Sequence, residues 1–334
     1  MFKLAFKQYK AKSSSPDLTE VINVDDIEAR QNDPQQKDNN VQRLDISNVR
    51  NIQMMPGIKS PSDWRSYALT HHPGIIIIRN PFTERGRRYW IARCLRDYPR
   101  KPNIVNLNER LFEDSVRSDW WKQLNLCSDG EEFQRIKSAM RWTTFGYHHN
   151  WDTKLYDEQM QSQFPEDLSN LCRLFASTLG YSDFKPEAAI VNYYPVGSTL
   201  SGHTDHSEPN KSAPLFSFSF GQTAIFLIGG RTLEEKPTAV YLRCGDVMIM
   251  SEESRLCYHA VPRIMKTQTL WTSTLTNENA DDADIGSHLL DMDLFQNVGK
   301  PNLWLPFSNY IGDSRININV RQVLNPGDSN LGTF

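Results

Sequence analysis

Two histidines and an aspartate stand within four positions in the stretch NYYPVGSTLSGHTDHSEPN, residues 192–210. His203 and Asp205 are alternate residues, so on extended backbone their side chains point the same way, and His206 points to the other side. A single His-x-Asp pair is weak support for a metal site, because a chain with eight histidines contains one by chance at about even odds. The preceding aromatic run and PVGS turn place the pair at a strand end, which suits a metal site or a polar loop.

A third metal ligand would have to come from another part of the fold. His259, in the segment SRLCYHAVPRI, lies on a second predicted strand. Two imidazoles and one carboxylate on one face of an octahedron leave three positions open, an arrangement typical of non-haem Fe(II) that binds a co-substrate and O2. We therefore predict that His203, Asp205 and His259 bind Fe(II), and that His206 lines the site.

The segment RININVR, residues 315–321, places four polar residues on one face of a strand: Arg315, Asn317, Asn319 and Arg321. Such a face is costly against a packed core unless it meets charged partners, and an exposed edge strand explains the segment equally well when taken alone. A keto acid such as 2-oxoglutarate chelates iron, and its far carboxylate suits a bidentate arginine. Beside the three candidate ligands, the segment indicates a site for such a co-substrate.

The elements that must position these residues are short strands separated by turn signals. The predicted strands are GIIIIRNPF (74–82), AAIVNYY (188–194), LFSFSFG (215–221), TAIFLIGG (223–230), TAVYLRCGDVMIMS (238–251), HAVPRI (259–264), TLWTSTLT (269–276) and RININVRQVL (315–324). Helical periodicity covers residues 84–98 and 165–180, the second opened by Pro165 and closed by Gly180. The pattern predicts an α+β protein with an antiparallel sandwich or jelly roll.

The predicted organisation follows changes in composition along the chain. Its parts are an N-terminal helix packed on the domain (1–25), a polar linker (26–50), a helical and substrate-lid region (51–185), the jelly-roll core (186–325) with a surface insertion at about 277–314, and a C-terminal tail (326–334). The first residues also suit a mitochondrial presequence, because four lysines precede the first acid. The apolar stripe of Phe2, Ala5, Phe6 and Tyr9 favours the packed helix.

Composition excludes several classes of protein. The net charge of −3 gives no overall basic field for nucleic-acid binding, so such binding needs a local patch. No apolar run reaches the roughly 18 residues that a membrane-spanning helix needs. The five cysteines are odd in number and form no CxxC pair, which favours a reducing compartment and argues against a zinc site or disulfide framework.

Taken together, HTD at 203–205, His259 and RININVR resemble the AlkB family of Fe(II)/2-oxoglutarate dioxygenases, whose C-terminal signature is RxNxxxR. Longer stretches are similar to the AlkB homologue 1 branch, including RWTTFGYHHNWDTKLY, LFSFSFGQTAIFLIGG, GDVMIMSEESRLCYHAVPRI and the N-terminal FKLAFKQYK. The resemblance covers most of residues 2–276 and 315–325. It implies a double-stranded β-helix (jelly roll) with flanking N-terminal helices.

The resemblance also implies roles for individual residues. His203, Asp205 and His259 would be the iron ligands, and Arg315 would hold the far carboxylate of 2-oxoglutarate. The remaining implied co-substrate residues are Asn192, Tyr194, Asn317 and Arg321. Ser207 stands where the bacterial prototype carries an acid that helps read the alkylated base, so that base specificity does not transfer, and Asn319 replaces a signature threonine.

The implied activity is oxidation of a substrate methyl group, with 2-oxoglutarate and O2 converted to succinate and CO2. Nucleic-acid substrates would be tRNA 1-methyladenine or 5-methylcytosine, or DNA N6-methyladenine, preferably in unpaired or stem-loop form. Tyr147 and Trp151, in a predicted hairpin, are candidates to stack on a base with His206 nearby. Residues 85–101 carry seven cations and suit either a phosphate-binding face or a solvated helix face.

Two alternatives remain open at this stage. A protein-modifying dioxygenase of the same class would act on lysine or histone tails, and a non-catalytic binding module would use a decayed oxygenase fold. The complete ligand set argues against decay. We expect a monomer without membrane attachment, in the nucleus, the mitochondrion or both, with the cytoplasm as a third compartment.

Overall fold

A computed structural model of the protein describes residues 1–11, 16–30, 40–46, 53–267, 275 and 286–332. Its α-helices are α1 Phe2–Lys10, α2 Val24–Arg30, α3 Glu84–Ala92, α4 Asp114–Ser118, α5 Trp120–Leu126, α6 Gly130–Ala139, α7 Glu166–Thr178, α8 Met292–Asn297 and α9 Pro301–Ile311. Its strands are β1 Val41–Leu44, β2 Arg65–Leu69, β3 Ile75–Arg79, β4 Ile104–Val105, β5 Trp142–His149, β6 Tyr156–Gln161, β7 Ala188–Pro195, β8 Leu200–His203, β9 Leu215–Gly221, β10 Thr223–Ile228, β11 Thr238–Leu242, β12 Val247–Met250, β13 His259–Met265 and β14 Ser314–Arg321.

The strands form two antiparallel sheets. The larger sheet has the order β1-β2-β3-β12-β9-β14-β7-β5-β4, with β6 paired to β5, and the smaller sheet has the order β11-β10-β13-β8. One hydrophobic cluster joins the facing sheets, for example through Ile77 and Met248 of the larger sheet and Phe226 and Ile264 of the smaller sheet. The predicted jelly roll with flanking helices is therefore confirmed.

The outer face of the larger sheet carries the helices. Alternate residues of β9 and β14, such as Phe218 and Ile318, pack into the main core with Phe175 of α7 and Trp90 of α3. Because strand side chains alternate between faces, the residues between them point to the space between the sheets. The polar face of β14 is thereby directed inward, where the smaller sheet covers it.

Most predicted elements match those observed. The helix predicted over 84–98 is α3 followed by a π-helical turn at Arg93–Asp97, and the helix predicted over 165–180 is α7. The segment 238–251 forms two strands, because Gly245, at φ +86°, turns the chain between them. The predicted strand 269–276 lies outside the described residues, apart from residue 275.

The predicted polar linker 26–50 is wrong over parts of its described residues, 26–30 and 40–46. Residues 24–30 form α2, and residues 41–44 form β1, which pairs with β2 at the edge of the larger sheet. Asp25 of α2 bonds Arg79 at 2.9 Å, which ties this segment to β3. Val24 of α2 is fully buried in the cluster between the sheets and Ile27 packs against that cluster, so apolar contacts and ion pairs together hold this helix.

The predicted surface insertion at about 277–314 is also wrong over its second half. The described residues from 286 onward form α8 and α9, and four side chains of α9 are buried: Trp304, Phe307, Tyr310 and Ile311. Phe307 stacks on Trp121 of α5 with ring centroids 5.1 Å apart. The segment therefore builds part of the helical core, while residues 276–285 lie outside the described residues.

The N-terminal segment lies on the smaller sheet. Phe2 and Tyr9 of α1 are buried in a cluster with Ile225, Leu227 and Ala260 of β10 and β13. Gly202 and Gly229 leave the room that the ring of Phe2 occupies, since a Cβ at either position would come within 2.9 Å or 2.7 Å of it. The helix thus covers the outer side of the strand pair that carries the metal-ligand candidates.

Candidate metal centre

The three predicted iron ligands meet at one end of the space between the two sheets. His203 ends β8, His259 begins β13, and the two residues are direct partners in the antiparallel pairing of these strands. Asp205 follows β8 by two residues. One potential ligand atom from each of the three lies within 4.8 Å of the others, and no other such cluster of three occurs among the described residues.

Backbone carbonyls fix the orientation of both imidazoles. Nδ1 of His203 lies 2.9 Å from the carbonyl oxygen of Ser201, and Nδ1 of His259 lies 3.1 Å from that of Cys257. Since a carbonyl only accepts, each Nδ1 carries the hydrogen, and Nε2 presents its lone pair. Each Nε2 faces Asp205, at 3.8 Å from a carboxylate oxygen. This arrangement is typical of metal-binding histidines.

Charge at the centre favours an ionised carboxylate at Asp205. Burial opposes ionisation of Asp205, but Arg321, which donates to Oδ2 at 2.9 Å, and both histidines together lower its pKa well below the usual range. Burial, with a further contribution from His203, lowers the pKa of His259 to about 4. The donor set is thus two imidazole nitrogens and an ionised carboxylate, which suits a divalent cation.

A buried ion-pair network behind Asp205 was missed by the sequence analysis. Glu208 pairs with Arg255 at 3.0 Å and with Arg321 at 3.1 Å, and Arg255 also donates to the backbone oxygen of Asp205 at 2.6 Å. Glu208 and Arg255 are 2% and 1% exposed. The available signal was their position in the sequence: Glu208 follows Asp205 by three residues, and Arg255 precedes His259 by four.

Arg315, the predicted co-substrate residue, is a buried cation without an acidic partner among the described residues. It is 2% exposed, its Nη2 donates to Ser219 Oγ at 2.8 Å, and its Nε has no hydrogen-bond partner. Among the described residues, no carboxylate lies within 4 Å of its guanidinium. Burial lowers the pKa of Arg315 to about 10, which leaves it charged at neutral pH. Its partners, Ser219 Oγ and the Leu242 carbonyl, are neutral, and a buried guanidinium without a carboxylate partner is disfavoured, so the site fits a carboxylate ligand.

The other predicted co-substrate residues share this inner face. Tyr194 pairs with Arg315, and Asn192 with Asn317, across the β7–β14 register. Burial raises the pKa of Tyr194 to about 12, so its hydroxyl remains a donor. The amide of Asn317 is already engaged, since its Nδ2 donates to Ser217 Oγ at 2.9 Å and to a backbone carbonyl.

The three predicted substrate residues lie in different surroundings. Trp151, at the tip of the β5–β6 hairpin, is 40% exposed, and its ring stacks on His149 with centroids 4.8 Å apart. His206 is exposed beside Asp205. Tyr147 is buried in a small cluster with Val323 and Leu331, and its hydroxyl donates to Glu158 at 3.1 Å. The structure therefore brings Trp151 and His206 to the surface near the centre and places Tyr147 beneath the hairpin.

The cationic stretch 85–101 is largely neutralised by internal ion pairs. Five of its seven cations pair with acids: Arg88, Arg93, Arg96, Arg100 and Lys101. Arg93 alone holds Asp167 at 2.7 Å and Asp97 at 2.8 Å. The acids come from the stretch itself and the residue before it, Asp97 and Glu84, and from other parts of the chain, such as Asp119 and Asp167. The ion pairs leave less free positive charge for phosphate than the composition suggested.

Residues 74–321 match the family model described as the 2OG-Fe(II) oxygenase superfamily. The chain belongs to this superfamily. The fold, the two-histidine and one-carboxylate centre and the unpaired guanidinium agree with that membership. Members use Fe(II), 2-oxoglutarate and O2, so the predicted cofactors are confirmed, and the protein is a 2-oxoglutarate-dependent dioxygenase.

Similar proteins of known name support the predicted branch. The human nucleic acid dioxygenase ALKBH1 is 38% identical over 80% of this chain and 69% of its own length. The Arabidopsis thaliana DNA N(6)-methyladenine demethylase ALKBH1A is 32% identical over 77% of each chain. The Schizosaccharomyces pombe tRNA demethylase abh1 is 30% identical over 80% of this chain and 86% of its own. The resemblance to the AlkB family is thereby confirmed.

Proposed function

We propose that this dioxygenase oxidatively demethylates or hydroxylates methylated bases in nucleic acid, and that it prefers unpaired or stem-loop substrates. The candidate bases are 1-methyladenine or 5-methylcytosine in tRNA and N6-methyladenine in DNA. One observation carries the proposal. The exposed ring of Trp151 stacks on His149, and His149 Nε2 accepts a hydrogen bond from Ser207, two residues after Asp205, at 3.2 Å. A flat aromatic platform is thus hydrogen-bonded directly to the loop that carries Asp205, residues 204–208, which we call the metal loop.

Under this proposal each residue of the centre has a stated task. His203, Asp205 and His259 hold Fe(II), Arg315 binds the far carboxylate of 2-oxoglutarate, and the co-substrate is also contacted by Asn192, Tyr194, Asn317 and Arg321. Bound Fe(II) supplies the oxidising chemistry that uses O2 and 2-oxoglutarate to hydroxylate a methyl group. Arg321 and the carbonyl-bound imidazoles keep the ligand atoms oriented, and the sheets exclude water from the co-substrate.

The preference for unpaired substrate follows from the cost of base extrusion. Removing a base from a perfect duplex costs a few kcal/mol, and a loop or bulge largely avoids that cost. Phosphate contacts would have to offset it, but the cations of residues 85–101 are mostly paired with acids. Trp151, with Lys154 over its ring at 5.6 Å, offers stacking and one positive charge.

The names of the similar proteins favour nucleic acid over lysine as the substrate. The human, plant and yeast relatives are named for activity on nucleic acid, DNA or tRNA. The histone or protein lysine alternative has no comparable support. We further propose a monomer located in the nucleus, the mitochondrion or both, with the cytoplasm as a third compartment, to be tested by light scattering and by imaging of the tagged full chain. No helix among the described residues is long and apolar enough to cross a membrane.

The test is a substrate panel assayed with the iron-loaded enzyme. Methylated tRNA stem-loops, single strands, bulged DNA, perfect duplexes and methylated lysine peptides are compared at matched salt, with nucleoside mass spectrometry and formaldehyde release as readouts. We expect base oxidation on unpaired and stem-loop substrates well above that on duplex. Equal rates on duplex and single strand would refute the preference, and turnover of peptides alone would move the protein to the lysine-modifying class.

A further inference from the structure

Glu208 connects the β5–β6 hairpin to the metal loop. Its carboxylate is buried, and both oxygens are occupied. Oε1 accepts from the hydroxyl of Tyr156 at 2.9 Å and faces Nε of Arg321 at 3.1 Å, while Oε2 accepts from Arg255 at 3.0 Å. Glu208 therefore links one hairpin tyrosine to the two arginines behind the metal loop.

The same two arginines hold the aspartate of the metal centre. Arg321 donates to Asp205 Oδ2 at 2.9 Å, and Arg255 donates to the Asp205 backbone oxygen at 2.6 Å. Both the carboxylate and the backbone of Asp205 are thus fixed by groups that Glu208 orients. Each of these two guanidinium groups contacts both Glu208 and Asp205, so a shift of Glu208 would reach Asp205 through a single side chain.

Tyr156 brings the hairpin into this network. It is the first residue of β6, its ring lies 5.4 Å from that of His149, and His149 stacks on the exposed Trp151. Burial raises the pKa of Tyr156 well above its usual range, with Glu208 adding to the effect, so the phenol stays a hydrogen-bond donor. The hairpin is thereby hydrogen-bonded to the metal loop at two points, Tyr156 to Glu208 and His149 to Ser207.

We propose that Tyr156 is a positioning residue that sets the register between the base-binding hairpin and the metal loop through Glu208. This inference rests on the proposed function, since it treats the hairpin as the substrate platform. With the hydroxyl present, a base held by the hairpin meets the centre in one geometry. Without it, the hairpin and the loop shift relative to each other, and 2-oxoglutarate is consumed more often without oxidation of the base.

The variant Tyr156→Phe keeps the ring and removes only the hydroxyl. The iron-loaded variant is assayed with a methylated single-stranded oligonucleotide, and succinate and oxidised base are both counted. Because a hydrogen bond to a charged group is lost, we expect the ratio of succinate to oxidised base to rise by about fivefold or more. The KM for 2-oxoglutarate should stay within about twofold of the parent, since Arg315 is untouched.

Tyr181→Phe is the matched control. It removes a tyrosine hydroxyl that donates to Ser251 at 2.9 Å, outside the hairpin and the metal loop. Its ratio of succinate to oxidised base should equal that of the parent. A Tyr156→Phe enzyme that loses both activities in equal proportion, or keeps the parent ratio, would overturn the positioning role and leave Tyr156 a stability residue.

Hydrogen–deuterium exchange tests the same tie without any nucleic acid. In Tyr156→Phe we expect faster exchange in both the hairpin, residues 150–156, and the metal loop, residues 204–208, and neither change in Tyr181→Phe. Faster exchange in the hairpin alone would overturn the proposed link. If the parent shows no base oxidation at all, the proposed function fails, and this measurement still decides whether the two segments are tied.

Discussion

The co-substrate end of the site and the β5–β6 hairpin differ in how they are held. Arg315 and its neighbours sit on central strands of the larger sheet, paired on both sides by β7 and β9. The hairpin projects from β5, and its tip carries Trp151 in solvent. The first region lies between paired strands and holds a cation without a carboxylate partner, while the second carries an exposed ring and is joined to the metal loop by two side-chain hydrogen bonds. Under the proposed function, the chemistry shared by the superfamily lies in the first region, and contacts that choose the substrate lie in the second.

The largest expected effect comes from the metal loop. Asp205→Ala removes the carboxylate that both imidazoles face, so we expect no measurable 2-oxoglutarate turnover. Arg321 keeps Glu208 as a partner, and the fold should persist by near-ultraviolet circular dichroism. Asp183→Ala, which removes an exposed acid, is the control. Iron binding and turnover equal to those of the parent would show that the centre lies elsewhere.

The next largest effect concerns Arg315, the buried cation without an acidic partner. Arg315→Lys replaces a planar fork by a point charge, and loss of one charge-assisted hydrogen bond costs about 1.5–3 kcal/mol, so the KM for 2-oxoglutarate should rise about tenfold or more. Iron binding, measured by calorimetry, should change little. Arg173→Lys on the exposed side of α7 serves as the matched substitution. An unchanged KM would remove Arg315 from the co-substrate site.

On the hairpin the expected effect is on substrate and not on co-substrate. Stacking of a base on an aromatic ring contributes about 1–3 kcal/mol, so Trp151→Ala should raise the KM for a methylated stem-loop about tenfold. Succinate formation without nucleic acid should stay at the parent level, which is measured in the same assay. A Trp151→Ala enzyme that also loses succinate formation without nucleic acid would show that Trp151 supports the co-substrate end of the site.

The smallest expected effect separates the buried Tyr147 from the exposed Trp151 of the same hairpin. Tyr147→Phe removes the hydrogen bond to Glu158 and should lower the free energy of unfolding by about 1 kcal/mol, measured by urea denaturation. Because Tyr147 is buried, we expect the KM for nucleic acid to remain at the parent value. A rise in that KM would instead support the prediction that Tyr147 contacts the substrate.

The sequence predicted the rigid region better than the hairpin for a physical reason. Alternation along a strand fixes which residues share a face, so RININVR alone indicated that Arg315 and Arg321 point the same way, and β14 is an inward-facing strand. The positions of Glu208 and Arg255 close to the ligands marked them as candidates, but nothing local indicates that Glu208 meets Arg255 and Tyr156. Those contacts depend on how a loop, the 3-10 turn Glu252–Leu256 and a hairpin come together. Tyr147 and Trp151 were equivalent candidates in the sequence, but Tyr147 is buried on β5 and Trp151 is exposed in the turn.

The two wrong predictions about segments have a common cause. Polarity was read as exposure at residues 26–50, and the acidic run at the start of 277–314 was extended over the whole segment. The sequence NLWLPF at 302–307 is apolar enough to have indicated a buried helix, and Trp304 and Phe307 are indeed in the core. For α2 the signal was weaker: two apolar residues three positions apart, Val24 and Ile27, pack on the core, and Asp25 is held by Arg65 and Arg79.

The backbone hydrogen bonds of the two imidazoles bear on how the site tolerates sequence change. The oxygens that hold His203 and His259 belong to the main chain of Ser201 and Cys257, so every amino acid at those positions supplies the same acceptor. Substitution of either side chain, or oxidation of the Cys257 thiol, leaves that acceptor in place. The orientation of the two imidazoles therefore follows from the backbone of the paired strands and depends on no second side chain, whereas Asp205 depends on Arg321 and Arg255.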